Sequence, residues 1–539
     1  MSATDPKQPP DLAAFAEHAA RICGAAHVDF SPAGIAAASR TTAPWRSLIA
    51  GIVRPSSADE VASLITAAAA TATPLYPVST GKNWGYGDRL PAGDNQVVLD
   101  LGRMNRIIEV DETLAYAVVE PGVTQGQLFE HLQARQLALW LDCTGAGPDA
   151  GIIGNILERG FGHTPLGDRF RAVSGIEAVL GDGSVLRTGF SGAESSAVGA
   201  TYPYGLGPVL DGLFSQSNLG VVTRMGVWLM PQPEAFAAAI VFIDDKAVIG
   251  PVVDRLRPLR LDGTLPSVVH IANDLRLLSG RMGFPQQRAG GERCLTAELR
   301  AALNRELGIS PWAMSAGLYG SRRQIRASAA RLKTALKGLP VRIRVLGGDT
   351  LRQAERAARL LNRFKIGRGL YRQIEDASAA IGLLQGKPTR HFLKGAYWRH
   401  PTMPTGADPA LDGCGLLWLA PVSPHRGQDI DRLLALVEPL YARHGFDALL
   451  TLSLLNGRAI ALVSTIAFNA EDQVEARAAA DCYETIVKAA MAAGYPPYRL
   501  ASGAMASAID PKEPYWQAVA RLKAALDPAG VIAPGRYAP

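Results

Sequence analysis

Apolar residues recur at helical spacing from Ser57 to Thr71, behind a Ser-x-x-Asp/Glu start made by Ser56, Ser57, Asp59 and Glu60. This pattern predicts a capped amphipathic helix. The compact run Pro74 to Val78 reads as a strand, and further strands are expected at Val97 to Leu101, Arg106 to Asp111 and Tyr116 to Glu120, with a helix from about Gln125 to Gln136. Gly175 to Gly189 reads as a hairpin turned by Gly181-Asp182-Gly183, and Val221 to Met230 as a strand stopped by Pro231 and Pro233. Strands and helices do not alternate in regular βαβ units, so the predicted fold class is α+β.

The character of the chain changes near Phe236. New helical patterns follow at Ile430 to His444 and Asp472 to Gly494, with Pro/Gly-rich joints at Lys387-Pro388 and His400 to Gly413. A last helix, Tyr515 to Leu526, is closed by Asp527-Pro528. These shifts divide the chain into a first lobe over 1–235, a second over 236–493 and a terminal segment over 494–539. A chain that leaves one lobe, builds another and returns creates a seam, and ligand sites favour seams.

Two glycine-punctuated turns, each entered from an apolar strand, lie about seventy residues apart: Pro77 to Gly87 and Gly151 to Asn155. Glycine lets backbone amides approach an anion and permits positive φ, so such turns suit a pyrophosphate. Neither turn fits a Walker loop or a G-x-G-x-x-G fingerprint, which points to a flavin nucleotide.

Composition narrows the alternatives. A chain of 539 residues, 48% hydrophobic and 19% charged, reads as globular and large enough to bury a site. The net charge of +6 is not gathered into a basic patch with interleaved aromatics, so a nucleic-acid role is not expected. Five scattered cysteines without C-x-x-C or C-x-x-C-H spacing argue against a disulfide framework, a structural zinc and a c-type haem. A polar, proline-rich start followed by an amphipathic stretch near Leu12 to Ile22 reads as lacking a signal peptide, and no apolar run is long enough for a membrane span. The expected location is cytoplasmic.

The order of motifs resembles the vanillyl-alcohol oxidase and p-cresol methylhydroxylase family of FAD-dependent 4-alkylphenol oxidoreductases. The resemblance rests on Ser79-Thr80-Gly81-Lys82-Asn83-Trp84-Gly85-Tyr86-Gly87, Val119 to Thr124, Gly154 to Gly160, Gly167-Asp168, Gly212 to Gly220, Pro497-Tyr498-Arg499 and Ile532 to Arg536. It implies a two-lobed flavoprotein, with an FAD-binding lobe of the PCMH type and an inserted α/β cap (substrate) domain. It further implies that FAD is held by Ser79 to Gly85, Pro121, Gly122, Gly151, Gly154, Asn155, Gly160, Gly220, Val221 and Arg536. Tyr86, Tyr498 and Arg499 match the positions that bind the substrate's phenol as phenolate. The implied reaction passes hydride from the benzylic carbon to flavin N5 and leaves a p-quinone methide, to which water can add.

Departures from the family pattern carry their own expectations. The place of a flavin-linking histidine is taken by Gly415, and Tyr397, in Leu393 to Arg399, is the candidate for an O-linked flavin in the manner of p-cresol methylhydroxylase. Oxidase members carry an aspartate near N5 where Gly145 and Ala146 stand here; Asp142 and Asp149 flank that gap. His163 replaces a common active-site tyrosine and is a candidate base toward water attacking the quinone methide. Ala461 and Leu462 replace histidines of some members, which suggests a roomier, apolar pocket for lignin-derived or other bulky guaiacyl phenols. A separate cytochrome c or oxygen is the expected electron acceptor, and a homodimer is implied by resemblance alone. Two other readings stay open: an FAD oxidase of hydroxy acids or sugar alcohols, and a nucleotide-binding module without redox chemistry.

Overall fold

Ser57 Oγ accepts the amide of Glu60 (3.2 Å), and the Glu60 carboxylate takes the amide and hydroxyl of Ser56 (2.7 and 2.9 Å), so the first predicted helix starts at Ala58 and runs to Ala70. It links strands Ile49–Val53 and Leu75–Val78, which both pair in parallel with Gln96–Asp100; Val28–Asp29 adds an antiparallel edge. This is a single βαβ crossover in a largely antiparallel molecule. The computed structural model describes residues 9–537 except 193–195, 349–352, 354–355 and 357–367.

A second sheet is fully antiparallel, in the order Ile107–Asp111, Tyr116–Val119, Val221–Trp228, Val173–Val179, Val185–Arg187. Its last two strands are the expected hairpin, turned where Gly183 takes φ +83°. The terminal segment returns to this lobe. Leu75 donates its amide to Val531 and accepts that of Ala533 (both 2.7 Å), while the amide side chain of Asn218 donates to the Ala533 carbonyl (3.0 Å).

Between these parts the chain builds a sheet in the order Val341–Gly347, Ala235–Ile243, Trp312–Gly320, Val269–Asn273, Leu449–Leu454, Ala459–Asn469, Cys414–Leu419, with Val422–Pro424 also on Ala459–Asn469. Cross-strand partners share a face and successive residues alternate. One face, carrying Ile271, Leu452, Leu462 and Leu417, is buried beneath helices that include Ile249–Leu261, Gly427–His444 and Gln473–Ala492. On the other face the partners His270, Ser453 and Ala461 form one row, Ala272, Thr451 and Val463 the next, and Leu449, Thr465 and Trp418 a third. His270, Thr451, Val463 and Trp418 stay partly exposed. This is the face that meets the first lobe.

Register corrects one expectation. Ala461 lies in the row of His270, but Leu462 points into the helix-covered core opposite Leu452 and so does not face the seam.

Candidate active site

The two glycine turns interlock. Ser79 Oγ donates to the Pro121 carbonyl, and the Gly151 amide donates to Thr80 Oγ1 (3.0 Å). A Cβ on Gly151 would lie 2.4 Å from Ser79 Oγ, one on Gly154 3.0 Å from Ser79 Cβ, and one on Gly122 within 2.6 Å of the Gly102 carbonyl. Gly81 and Gly85 take φ of +72° and +74°, and a Cβ on Gly85 would meet Trp418 Cδ1 at 1.8 Å. Within this cradle the amides of Thr80, Gly81, Lys82 and Asn83 have no acceptor among the described residues. Unpaired amides beside close-packed glycines fit the pyrophosphate of a dinucleotide such as FAD.

The remaining nucleotide-site candidates divide by what they touch. Lys82 and Trp84 reach Asp408 of the second lobe, the indole at 3.1 Å. Asn155 accepts a hydrogen bond from Arg169 (2.6 Å), and a Cβ on Gly160 would strike the Asn155 side chain at 2.4 Å, so these residues brace the loop behind the turn. Gly220 packs against Phe214 and the Val179 carbonyl, and the Val221 side chain is in the first lobe's core. Arg536 donates to Tyr76 Oη (2.9 Å) and pairs with Glu158.

Sequence order gives no hint that Tyr86 and the Tyr498-Arg499 pair are neighbours; the fold brings them together. The Arg499 guanidinium carbon is 3.9 Å from the centre of the Tyr86 ring. The Tyr498 side chain interacts with both Tyr86 and Arg499. Burial pushes both tyrosines upward, Tyr86 well above its ordinary value, so both remain protonated donors at neutral pH. Arg499 Nε pairs with Glu158 Oε2 at 3.0 Å, and its Nη2 donates to Asn83. Glu158 thus serves two arginines, Arg499 and Arg536, and the group keeps a net positive charge.

From Tyr498 a chain of rings crosses the seam: Phe161 at 5.7 Å, His270 at 6.2 Å from Phe161, and His163 at 4.2 Å from His270. His270 Nδ1 is 3.0 Å from Ser453 Oγ. Burial holds both imidazoles neutral, His163 well below its usual value and His270 down to about 4. A depressed base binds fewer protons folded than unfolded, so its stabilising effect is complete above about pH 6.5 and is lost as pH falls toward about 4. Thermal melts between about pH 8 and about pH 4 are expected to show that decline, and His270→Gln to flatten it.

Both acids that flank the gap at Gly145 and Ala146 have cationic partners. Asp142 accepts from Thr164 Oγ1 (2.6 Å) and the Thr164 and His163 amides, and pairs with Arg169 at 3.4 Å; Asp149 pairs with Arg390 (2.6 Å). Gly415 has no room for a side chain, since a Cβ would lie 2.4 Å from the Phe468 carbonyl. Tyr397 is buried with Trp84, and its hydroxyl donates to Asp412. His270, Ser453 and Glu158 escaped the sequence reading. Glu158 stands inside a quoted motif, whereas His270 is a lone polar residue in an apolar strand.

With the geometry in place, comparison with known proteins can be weighed. A family model described as an FAD binding domain matches residues 49–189. The chain is 37% identical over 98% of its length, and 96% of the relative's, to 1'-carboxy-chondrochloren decarboxylase of Chondromyces crocatus. It is 30% identical over 86% of its length, and 82% of the relative's, to the 4-cresol dehydrogenase [hydroxylating] flavoprotein subunit of Pseudomonas putida. A 4-ethylphenol oxidase from Gulosibacter chungangensis, solved with isoeugenol, superposes with a TM-score of 0.88 at 26% identity, covering 98% of this chain and 99% of that one. Among the described residues no helix is long and apolar enough to cross a membrane. The cradle and these likenesses agree on FAD as the cofactor, and the chain belongs to the vanillyl-alcohol oxidase and p-cresol methylhydroxylase family of FAD-dependent oxidoreductases, with that family's two-domain α+β fold.

Proposed function

We propose that the protein oxidises para-substituted phenols at the benzylic carbon, with the phenol held as phenolate by Tyr86, Tyr498 and Arg499. The observation that carries this reading is the meeting of two protonated tyrosine hydroxyls and a buried guanidinium at one point of the seam. Fixed donors and a net positive charge favour the ionised phenol and lower its pKa. The phenolate pushes electron density into the ring, which makes the benzylic C–H a better hydride donor. FAD, held by the amides of Thr80 to Asn83 and the glycine cradle, supplies the two-electron acceptor.

Loss of hydride leaves a p-quinone methide whose oxygen stays on the same three donors. His163, neutral at working pH, is within the ring chain that leads from Tyr498 and takes the proton of water adding to the benzylic carbon. Ala461, small and on the seam face, makes space for a bulky guaiacyl-type substituent. A separate cytochrome c or oxygen would be the final electron acceptor. Anaerobic mixing of the yellow protein with 4-ethylphenol or vanillyl alcohol is expected to bleach it, while lactate and alditols leave the colour. Bleaching by hydroxy acids or alditols alone would select the other flavin-oxidase reading.

Tyr397 is the proposed residue for an O-link to the flavin, and its hydroxyl donates to Asp412. Acid precipitation of the wild type should then leave the colour in the pellet, and Tyr397→Phe should release it. Colour that washes out of the wild type contradicts the link. A second reading comes from the Chondromyces relative, whose name describes removal of a carboxyl group, at 37% identity along nearly the whole chain. Carbon dioxide release from a carboxylated phenol distinguishes it from benzylic hydroxylation.

A further inference from the structure

Arg276 follows the strand Val269–Asn273 that carries His270, and its guanidinium carbon lies 5.3 Å over the ring of Trp418. Trp418 in turn rests on the first glycine turn, donating its amide to the Gly85 carbonyl (3.0 Å). Three arginines with buried side chains have anionic partners: Arg169 has Asp142, Arg399 has Glu475 and Arg499 has Glu158. The Arg276 guanidinium has no hydrogen bond or ion pair among the described residues. Its proton affinity falls to about 10 through burial alone, with no acid near enough to offset it. Arg276 is half-buried, and a guanidinium that reaches solvent with no carboxylate beside it is open to an incoming anion.

The space near it is tight. A Cβ on Gly395 would lie 2.1 Å from Arg276 Nη1, so the glycine there keeps the guanidinium in place. Along the seam face Arg276 belongs with the Trp418 row, two rows from the His270 row. Rows two residues apart are separated by about 7 Å, so the Trp418 row lies roughly 13 Å along the strands from the His270 row. A phenol gripped at Tyr498 would direct a para side chain along this face.

We propose that Arg276 anchors a carboxylate carried on the para side chain of the substrate, an inference that rests on the phenol-oxidising reading above. A planar guanidinium presents paired donors that match a carboxylate, and the Trp418 ring beneath it fixes its orientation. Neutral alkylphenols of the same length would bind the same phenol grip without this contact.

The experiment compares 3-(4-hydroxyphenyl)propanoate, its methyl ester and 4-ethylphenol on the holoenzyme and on Arg276→Met. The wild type should favour the acid over the ester about tenfold to a hundredfold, chiefly through KM. Arg276→Met should erase that preference, leave the neutral phenols unchanged and retain FAD, and Arg276→Lys should restore part of it. Equal handling of acid and ester by the wild type overturns the proposal. So does an Arg276→Met protein that loses FAD and all three activities together, because the guanidinium then serves an anionic group of the cofactor. If the wild type oxidises none of the three, the phenol reading fails on its own. Titration of the flavin absorbance with acid and ester then decides: tighter acid binding that Arg276→Met removes supports the anchor, and equal binding overturns it.

Discussion

Arg499→Met is expected to lower kcat/KM for 4-ethylphenol by about a thousandfold while the protein stays folded and yellow. Removing one preorganised donor aimed at developing charge typically costs 10²–10³ in rate, and this donor also carries the charge that ionises the substrate. Folding should survive because Glu158, the carboxylate left behind, keeps its pairing with Arg536. An isolated buried glutamate would otherwise destabilise the lobe. Steady-state kinetics with FAD content measured on the same preparation checks both halves. A drop below about tenfold would mean that phenol ionisation does not depend on this side chain.

The second large effect concerns the cradle. Gly85→Ala is expected to abolish FAD uptake and most soluble protein. Its φ of +74° strains any L-residue, and its Cβ would overlap Trp418 Cδ1 at 1.8 Å. Backbone strain alone costs about 1 kcal/mol, so the collision decides the outcome. The indole cannot swing freely, because Arg276 lies over its ring. Gly85→Ala with Trp418→Ala should recover part of the soluble protein. Gly212→Ala, with no heavy atom within 4 Å of the added carbon, is the silent control. Expression yield and the ratio of visible to ultraviolet absorbance separate the three.

The residues that were legible in the sequence are those whose backbone requirements are local. Gly81, Gly85, Gly151 and Gly154 announce close approach because no other residue fits, and Ser57 with Glu60 announces a helix start. Tyr86, Tyr498 and Arg499 were found through motif resemblance; their contact depends on a return of the chain that periodicity cannot show. Arg276 and His270 were invisible for a physical reason. A lone polar residue in or after an apolar strand looks the same whether it faces a core, a partner or a cleft, and only register settles which. Leu462 illustrates the point: adjacent to Ala461, it faces the opposite side of the sheet. Glu158 could be read as a motif position but not as the shared counter-ion of two arginines from the far end of the chain.

The central claim is tested most directly by the ionisation state of a bound phenol. An unreactive para-substituted phenol, protonated in free solution at the chosen pH, is added to the oxidised holoenzyme and its ultraviolet difference spectrum recorded. The red-shifted phenolate band should appear on binding to the wild type and vanish with Arg499→Met. A phenol that binds beside the flavin with the spectrum of its neutral form would contradict the account.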